Sequence, residues 1–228
     1  MPTRAFAGHG SVTRDPGIAC RDVRQRRTAW AIASLLVAGI ATLLHADDRA
    51  QADKLVELLA LKAGMTIADV GAGSGEMTVL MAQRIGPAGT VYATDINPDR
   101  LKEIRAAAAQ HDLKNVVVLE GAERTTNLPD ACCDAIFIRD VYHHFSDPAS
   151  MNRSLLAALK PGGRLAIIDF IPRKGSATPN GVPANRGGHG IAADLLQKEV
   201  AAAGFIVSQR DERWDGSDDL YLVLFKKP

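Results

Sequence analysis

Cysteine and aromatic residues are scarce in this 228-residue sequence. Three cysteines occur, and two of them, Cys132 and Cys133, are adjacent. Because neighbouring cysteines rarely reach the geometry of a disulfide, we expect no disulfide framework and interpret Cys133 as a core residue. Aromatic residues make up only 5% of the chain, which argues against a base-stacking surface for single-stranded nucleic acid.

Excess charge of either sign is also missing. The chain has 27 Lys and Arg residues against 26 Asp and Glu residues, a formal net charge of +1. This balance creates no overall field that would attract nucleic acid or an acidic partner, so we predict no nucleic-acid partner. The spacing of Cys and His residues suggests no metal site either. Any binding partner must therefore be argued from a local site.

The first 46 residues differ from the rest of the chain. Six arginines, at positions 4, 14, 21, 24, 26 and 27, precede the uncharged run of residues 29–44. This arrangement resembles a secretory signal, and the run lies between a signal core of roughly 7–15 residues and a spanning helix of about 20. We therefore predict a periplasmic or membrane-anchored protein, with membrane contact through residues 29–44. A cytoplasmic location follows if the segment is a core helix or an over-extended start.

From residue 47 onward, helical and strand-like segments alternate. Continuous apolar strands such as TVYATD and VVVLE alternate with helices such as EMTVLMAQRI, which predicts a parallel sheet covered on both faces. The last two strands are separated only by WDGSDD, which is too short for a crossover, so they should form an antiparallel hairpin. We predict one α/β domain over residues 47–228, a doubly wound, mostly parallel seven-stranded sheet with a C-terminal antiparallel hairpin.

A glycine-rich turn follows the first strand, at Gly71, Gly73 and Gly75. Ligands of open parallel sheets bind beyond the carboxyl ends of the strands, and glycine lets them approach the backbone closely. The third glycine comes one residue too early for a dinucleotide motif, Glu76 follows it, and no basic residue lies in the turn. These features favour an uncharged or cationic ligand. Asp95, at the end of the second strand, can accept both hydroxyls of a ribose, which predicts a nucleoside.

Four motifs carry a family resemblance. In order they are IADVGAGSGE, VYATDINP, LPDACCDAIFIRDVYHHF and LKPGGRLAIIDF, and they resemble the class I (Rossmann-like) S-adenosylmethionine-dependent methyltransferases over residues 50–228. The resemblance implies that fold, S-adenosylmethionine as cofactor, and methyl transfer to an acceptor, which we expect to be a small molecule. Two alternatives stay open. One is a noncatalytic binding protein with this fold; the other, less favoured, is an NAD-dependent oxidoreductase.

The resemblance also implies a set of cofactor-binding residues, most of which follow the first three strands. Asp69 matches the acid that helps hold the methionine end, Asp95 the acid that binds the ribose, and Ile96 the apolar residue beside the adenine. Much of the family has Gly-Asp-Ala after the third strand, whereas this chain has Gly121-Ala122-Glu123, so Glu123 is expected to replace the missing acid. The full set is Asp69, Gly71, Ala72, Gly73, Gly75, Asp95, Ile96, Ala122, Glu123 and Arg139.

Candidate catalytic residues lie in RDVYHHFSDP, directly after the fourth strand, where the acceptor is expected to enter. A histidine can take a proton from an oxygen or nitrogen acceptor near pH 7. Two adjacent histidines cannot share one direction, so at most one is expected to face the acceptor, and a structural role is the alternative for each. The candidates are Asp140, Tyr142, His143 and His144.

A second candidate for the acceptor site is the long segment from Pro172 to Gly190, which has almost no periodicity. Long loops without secondary structure are often functional, and we expect this one to help cover the acceptor. Its charged residues either bind an acidic acceptor or form an ordinary solvated surface. They are Arg173, Lys174, Arg186 and His189.

Overall fold

Strands and helices alternate through residues 47–228, the part of the chain that the computed structural model describes. The strands are β1 (Thr66–Val70), β2 (Thr90–Asp95), β3 (Val116–Glu120), β4 (Cys133–Arg139), β5 (Leu159–Phe170), β6 (Ile206–Asp211) and β7 (Leu220–Lys226). The helices are α1 (residues 47–58), α2 (Glu76–Ile85), α3 (Pro98–Gln110), α4 (Pro148–Ala158) and α5 (Ala193–Ala202).

All seven strands belong to one sheet in the order β3-β2-β1-β4-β5-β7-β6. Strands β1 to β5 pair in parallel, whereas β7 pairs antiparallel with both β5 and β6. The predicted fold class and the C-terminal hairpin are therefore confirmed. Because β1 lies between β2 and β4, the strand order reverses beside β1, and a ligand site is expected at its carboxyl end.

Two helices, α3 and α4, begin at a polar cap. The side chain of Asn97 accepts a hydrogen bond from the amide of Asp99, with Pro98 in the first turn of α3. Asp147 accepts from the amide of Ser150 in the same way at the start of α4. Such caps satisfy amides that have no partner within the helix, and they explain why helices begin at these positions.

Each face of the sheet has its own hydrophobic core, which shows most clearly along β4. Ile136 and Ile138 point into one core, which also contains Leu155 of α4 and Leu196 of α5. The alternate residues Ala135 and Phe137 point into the other core, together with Leu55 of α1 and Met81 of α2. Alternate side chains of a strand point to opposite faces, so the continuous apolar sequence of β4 is explained by burial on both sides.

The expectation about the adjacent cysteines is wrong. Cys132 and Cys133 are joined by a disulfide at the start of β4, while the burial of Cys133 agrees with its interpretation as a core residue. Neighbouring side chains diverge in a regular strand, but the backbone is irregular here. Ala131 has a positive φ of 48°, and the pairing of β4 with β5 shifts register between Cys133 and Ala135.

The predicted leader lies outside the described residues. The uncharged run of residues 29–44, with the signal and membrane contact inferred from it, therefore stays a prediction. Within residues 47–228, none of the helices is long and apolar enough to span a bilayer.

Candidate active site

A cavity of about 390 Å³ opens at the carboxyl ends of β1 to β4. Small-molecule sites in proteins commonly measure about 300–1,000 Å³, so the cavity is large enough for such a ligand. Its walls come from the glycine turn after β1, from the residues that follow β2, β3 and β4, and from α4 and the loop after β5. This is the edge of the sheet at which the sequence places the ligand.

The glycine turn is held tightly against its neighbours. Gly71 has a φ of +76°, and a Cβ atom at this position would lie 2.6 Å from the methyl carbons of Val141. Its amide donates a hydrogen bond of 2.8 Å to the carbonyl of Thr94 in β2. Gly73 also has a positive φ, and its amide donates to the Asp95 carboxylate at 3.0 Å. The turn therefore positions the acid at the end of the next strand.

Asp95 and Ile96 line the cavity side by side, while their predicted contacts with a ribose and an adenine stay predictions. One carboxylate oxygen of Asp95 accepts from the Gly73 amide and the other accepts from the Asn97 amide at 2.9 Å, which fixes the orientation of the carboxylate. Ile96 is 62% exposed, an unusual exposure for a large apolar side chain. A flat apolar ligand group lying against Ile96 would remove this surface from water.

The residues after β3 form the next part of the wall. Gly121, Ala122 and Glu123 all line the cavity, so the substituted Gly-Ala-Glu segment reaches the site. The amide of Ala122 donates to the carbonyl of Thr125 at 2.9 Å and closes a short turn. Thr125 also lines the cavity, a contribution that the sequence analysis missed because no motif marks it.

Asp69 lies below the glycine turn and does not line the cavity. It is only 3% exposed and accepts a hydrogen bond of 2.6 Å from the Thr78 hydroxyl in α2. Burial raises the pKa of Asp69 to about 6, although the Thr78 hydrogen bond and the charge of Arg139 oppose this shift. Contact of Asp69 with the methionine end of a cofactor stays a prediction.

Arg139 does not line the cavity either, contrary to the prediction that it faces the cofactor. Its guanidinium forms an ion pair of 2.6 Å with Asp48 in α1. The physical reason is strand alternation. Arg139 shares a face of β4 with Phe137, whose core contains α1, so its side chain extends toward that helix.

Tyr142 also requires a correction, because it does not project toward an entering substrate. Its side chain is fully buried, and its hydroxyl donates to Glu199 at 3.1 Å and accepts from Asn152 at 2.8 Å. Residues Tyr142–His144 form a 3₁₀ turn. Such a turn has three residues per turn, so consecutive side chains point in three directions, and here Tyr142 faces the core whereas His144 faces the cavity. Burial raises the pKa of Tyr142 far above its ordinary value.

His143 and His144 face different surroundings, as the adjacency argument predicts. His143 is buried, with Nδ1 2.8 Å from Asp169 and Nε2 3.2 Å from Nε2 of His189. His144 lines the cavity. Burial, followed by the neighbouring His143 and His189, lowers the pKa of His144, so its imidazole is neutral at pH 7. The sequence analysis missed the Asp169 contact because the two residues are 26 positions apart.

Asp140 has an uncommon backbone conformation between β4 and the 3₁₀ turn. Its φ is +57°, and its amide donates to the Ile168 carbonyl at 3.0 Å. Residues other than glycine that adopt a positive φ often lie at functional sites. Although Asp140 is exposed, the loss of water around its carboxyl, followed by the charge of Asp169, raises its pKa. Asp140 does not line the cavity.

The loop after β5 reaches the cavity through Asn180, which supports its predicted covering position. Neither predicted role fits Arg186, however. This residue is 1% exposed and forms an ion pair of 2.9 Å with Glu199 of α5, so it is neither a surface charge nor open to an acceptor. Arg173 lies over the Phe170 ring, with its guanidinium carbon 4.5 Å from the ring centroid.

Comparison with known proteins agrees with this geometry. Residues 61–201 match a family described as a methyltransferase domain. The chain is 32% identical over 126 residues to a demethylmenaquinone methyltransferase of Listeria monocytogenes serotype 4a, covering 55% of this chain and 52% of that protein. It is 35% identical over 134 residues to a 27-O-demethylrifamycin SV methyltransferase of Amycolatopsis mediterranei, covering 58% and 47%. The chain thus spans about half the length of the curated relatives it matches.

A solved structure extends the similarity to almost the whole described fold. The crystal structure of a SAM-dependent methyltransferase from Aquifex aeolicus superposes with a TM-score of 0.65 at 27% identity, and it covers 78% of this chain and 89% of that one. Sequence family, sheet topology and the position of the cavity agree, and the chain belongs to the class I S-adenosylmethionine-dependent methyltransferases.

Proposed function

We propose that this chain transfers a methyl group from S-adenosylmethionine to a small, largely apolar acceptor. The observation that carries the proposal is the continuity of the cavity. One wall contains the fixed carboxylate of Asp95 and the exposed Ile96, and another contains His144 and Phe145. A nucleoside and an acceptor can therefore meet in one space.

The residues present fit S-adenosylmethionine. Asp95 would accept hydrogen bonds from the ribose hydroxyls, and Ile96 would lie against the adenine. Among residues 47–228, no lysine or arginine lines the cavity, which suits a ligand without phosphates. The bound cofactor supplies a methyl group on a positively charged sulfur, and that sulfur is a good leaving group.

The acceptor is expected to be apolar because of the side chains near the end of β4. Val141, Phe145 and Met151 all line this part of the cavity. Two of the curated relatives are named for small molecules, demethylmenaquinone and 27-O-demethylrifamycin SV. These names support the class of acceptor proposed here.

The chain would accelerate the transfer mainly by positioning the two reactants. Well-oriented reactants avoid roughly 7–11 kcal/mol of the barrier to a bimolecular step. The neutral imidazole of His144 has a lone pair available at the cavity wall, so a role as proton acceptor stays a prediction for this residue. His143 is buried behind it and serves as a positioning residue rather than a base.

Calorimetric titration of the full chain tests cofactor binding. We expect S-adenosylmethionine and S-adenosylhomocysteine to bind and NAD not to bind. Hydrogen bonds to a charged group contribute about 1.5–3 kcal/mol each, so Asp95→Ala should weaken binding at least about tenfold. Asp99→Ala is the matched control, since Asp99 is an exposed acid four residues later that does not line the cavity. Equal affinity of both variants would contradict the assignment of Asp95.

A turnover assay separates the enzyme from the noncatalytic alternative, which the altered Gly121-Ala122-Glu123 segment keeps open. Formation of S-adenosylhomocysteine would be followed with a panel of phenolic, quinol, amine and thiol acceptors. We expect product with an apolar phenol or quinol. Tight cofactor binding without turnover on any member of the panel would instead favour the noncatalytic protein.

A further inference from the structure

Three imidazoles meet beside the cavity, although they come from two distant segments. His143 and His144 belong to the 3₁₀ turn after β4, and His189 lies at the end of the loop that follows β5. One ring nitrogen from each of the three lies within 4.8 Å of the other two. Such a convergence of imidazole nitrogens is the arrangement that a transition metal ion requires.

The separations agree with a tetrahedral ion. Zinc binds histidine nitrogen at about 2.0–2.1 Å, so two nitrogens on a tetrahedral ion lie about 3.3 Å apart. Nε2 of His143 and Nε2 of His189 are 3.2 Å apart, which needs almost no adjustment. His144 is exposed and its ring lies against that of His143, with centroids 4.1 Å apart, so a change in its side-chain torsions would have to bring its nitrogen from within 4.8 Å to that distance.

The buried member of the cluster is already oriented as a ligand. Asp169 is fully buried and accepts from Nδ1 of His143 at 2.8 Å and from the His143 amide at 3.0 Å. A proton held at Nδ1 leaves the lone pair at Nε2, directed at His189. A carboxylate behind a histidine ligand is the usual outer partner in zinc sites, where it fixes the tautomer and ring orientation.

We propose that His143, His144 and His189 bind one divalent transition metal ion, with Asp169 as the outer partner of His143. Three nitrogen donors select zinc, cobalt, nickel or copper over magnesium and calcium, and three protein ligands leave a fourth position for water. Two carboxylates, Asp169 and Asp140, and one cation, Arg173, interact electrostatically with the cluster.

The proposal goes beyond methyl transfer and does not depend on it. A bound ion would tie the 3₁₀ turn to the end of the loop at the wall of the cavity, since His144 also lines that wall. It would occupy the lone pair of His144, so this residue would not act as a base while the ion is bound. The competing arrangement is a direct hydrogen bond in which Nε2 of His189 donates to Nε2 of His143.

Metal titration of the full chain, purified without a polyhistidine tag, decides between the two. Zn²⁺ binding would be measured by calorimetry, and Co²⁺ binding by visible absorption, because four-coordinate cobalt absorbs far more strongly than the hydrated ion. We expect one equivalent to bind and the cobalt spectrum to be of the four-coordinate type.

Variants assign the ligands. Loss of an outer partner typically weakens metal binding roughly 10–100-fold, so we expect the metal affinity of Asp169→Asn to fall by that amount. His144→Gln and His189→Gln each remove a ligand and should weaken metal binding by more. His111→Gln, an exposed histidine at the end of α3, and the double variant His9→Gln/His45→Gln should bind as the unchanged chain does. The thermal midpoint and the far-ultraviolet circular dichroism spectrum check that each variant is folded.

Several results would overturn the proposal. Failure of the unchanged chain to bind one equivalent, or a cobalt spectrum of the hydrated type, would leave the direct hydrogen bond between His143 and His189 as the explanation. Undiminished binding in both His144→Gln and His189→Gln would place any bound ion elsewhere. The first two results come from the unchanged chain, so they hold even if a variant does not fold.

Discussion

The two sides of the cavity are built by different means. The cofactor side, as proposed above, comprises the glycine turn, Asp95 with Ile96, and residues 121–123, which all end or directly follow a parallel strand. The acceptor side comprises the 3₁₀ turn, Asp169 and the loop from Pro172 to Gly190, and its contacts join side chains that are 26 and 46 positions apart. Backbone geometry therefore defines one side, and long-range side-chain contacts define the other.

The largest expected effect is a loss of folding stability on the acceptor side that leaves the cofactor side unaffected. Glu199→Ala would leave the buried guanidinium of Arg186 without the only ion-pair partner that it has among residues 47–228. Removing one member of a buried pair typically costs about 3–5 kcal/mol. We expect the urea midpoint to fall accordingly, while S-adenosylhomocysteine affinity below the transition stays nearly unchanged because neither residue lines the cavity.

Two controls accompany this variant. Replacing both partners, as in Arg186→Met/Glu199→Leu, should recover most of the lost stability, because no unpaired charge remains. Asp112→Asn, which breaks the exposed pair with Lys114, should leave the midpoint unchanged. If the urea midpoint of Glu199→Ala equals that of the Asp112→Asn control, the buried pair of Arg186 and Glu199 does not stabilise the loop.

The next effect tests the backbone of the cofactor side. Gly71→Ala places a methyl group 2.6 Å from the carbons of Val141 and forces a side chain into a positive φ. The conformation costs about 1–2 kcal/mol and the overpacking about 1–3 kcal/mol more. We expect both the urea midpoint and the cofactor affinity to fall.

Gly64→Ala is its matched control. Gly64 has a similar φ of +83°, but a Cβ atom there would meet nothing within 4 Å, so only the conformational cost applies. The difference between the two variants therefore measures the contact with Val141. If the two variants lose equal stability and equal affinity, the close packing of the turn has no energetic role.

A pH effect of similar size is expected from Asp69. Its pKa of about 6 in the folded chain exceeds the ordinary value near 4, so the folded state binds the proton more tightly than the unfolded state does. Stability contributed by this group is present below about pH 4 and is lost as pH rises to about 6, by about 3 kcal/mol in all. Asp69→Asn should remove that loss and be the more stable form at pH 7.

Urea unfolding between pH 4.5 and 7.5 measures this effect. Asp130→Asn, at an exposed position, serves as control and should keep the slope of the unchanged chain. If Asp69→Asn also weakens S-adenosylmethionine binding, the buried acid is retained for function at a cost in stability. If the free energy of unfolding of Asp69→Asn changes with pH as that of the unchanged chain does, the Asp69 carboxyl is not the source of the pH dependence.

The smallest expected effect concerns Ile96. Ile96→Ser should lower S-adenosylhomocysteine affinity roughly fivefold, equivalent to about 1 kcal/mol of apolar burial, with little change in stability because the side chain is exposed in the free chain. Ile206→Ser, at an exposed position in β6, should change neither quantity. Equal affinity of the two variants would mean that Ile96 does not contact the ligand.

The same contrast explains how much of the molecule its sequence predicts. Apolar strands, and helices flanked by glycine as α2 is by Gly75 and Gly86, are local patterns, so α2 and β2 are predicted with the bounds that the structure shows. The positions of Asp95 and Ile96 are predictable for the same reason, since Asp95 ends β2 and Ile96 directly follows it. Each of these positions is determined by residues that lie close to it in the sequence.

The remaining features depend on packing between distant segments. Tyr142 and Arg186 are polar residues in apparently open segments, yet both are buried because each pairs with Glu199 of α5. His189 meets His143 only because the loop returns to the end of β4. The spacing of residues along the chain does not predict contacts between distant segments, which is why the sequence analysis placed these residues incorrectly or overlooked their contacts.

The strand order has a consequence for the synthesis of the chain. β6 leaves the ribosome before β7, yet β7 is its only partner in the described sheet and also covers the free edge of β5. At translation rates of about 5–20 residues per second, completing β7 takes roughly 3–11 s after β5 is complete and roughly 1–3 s after β6 is complete. Unpaired strand edges promote association between nascent chains, so slow translation of residues 171–226 would expose the protein to aggregation before β7 completes the sheet.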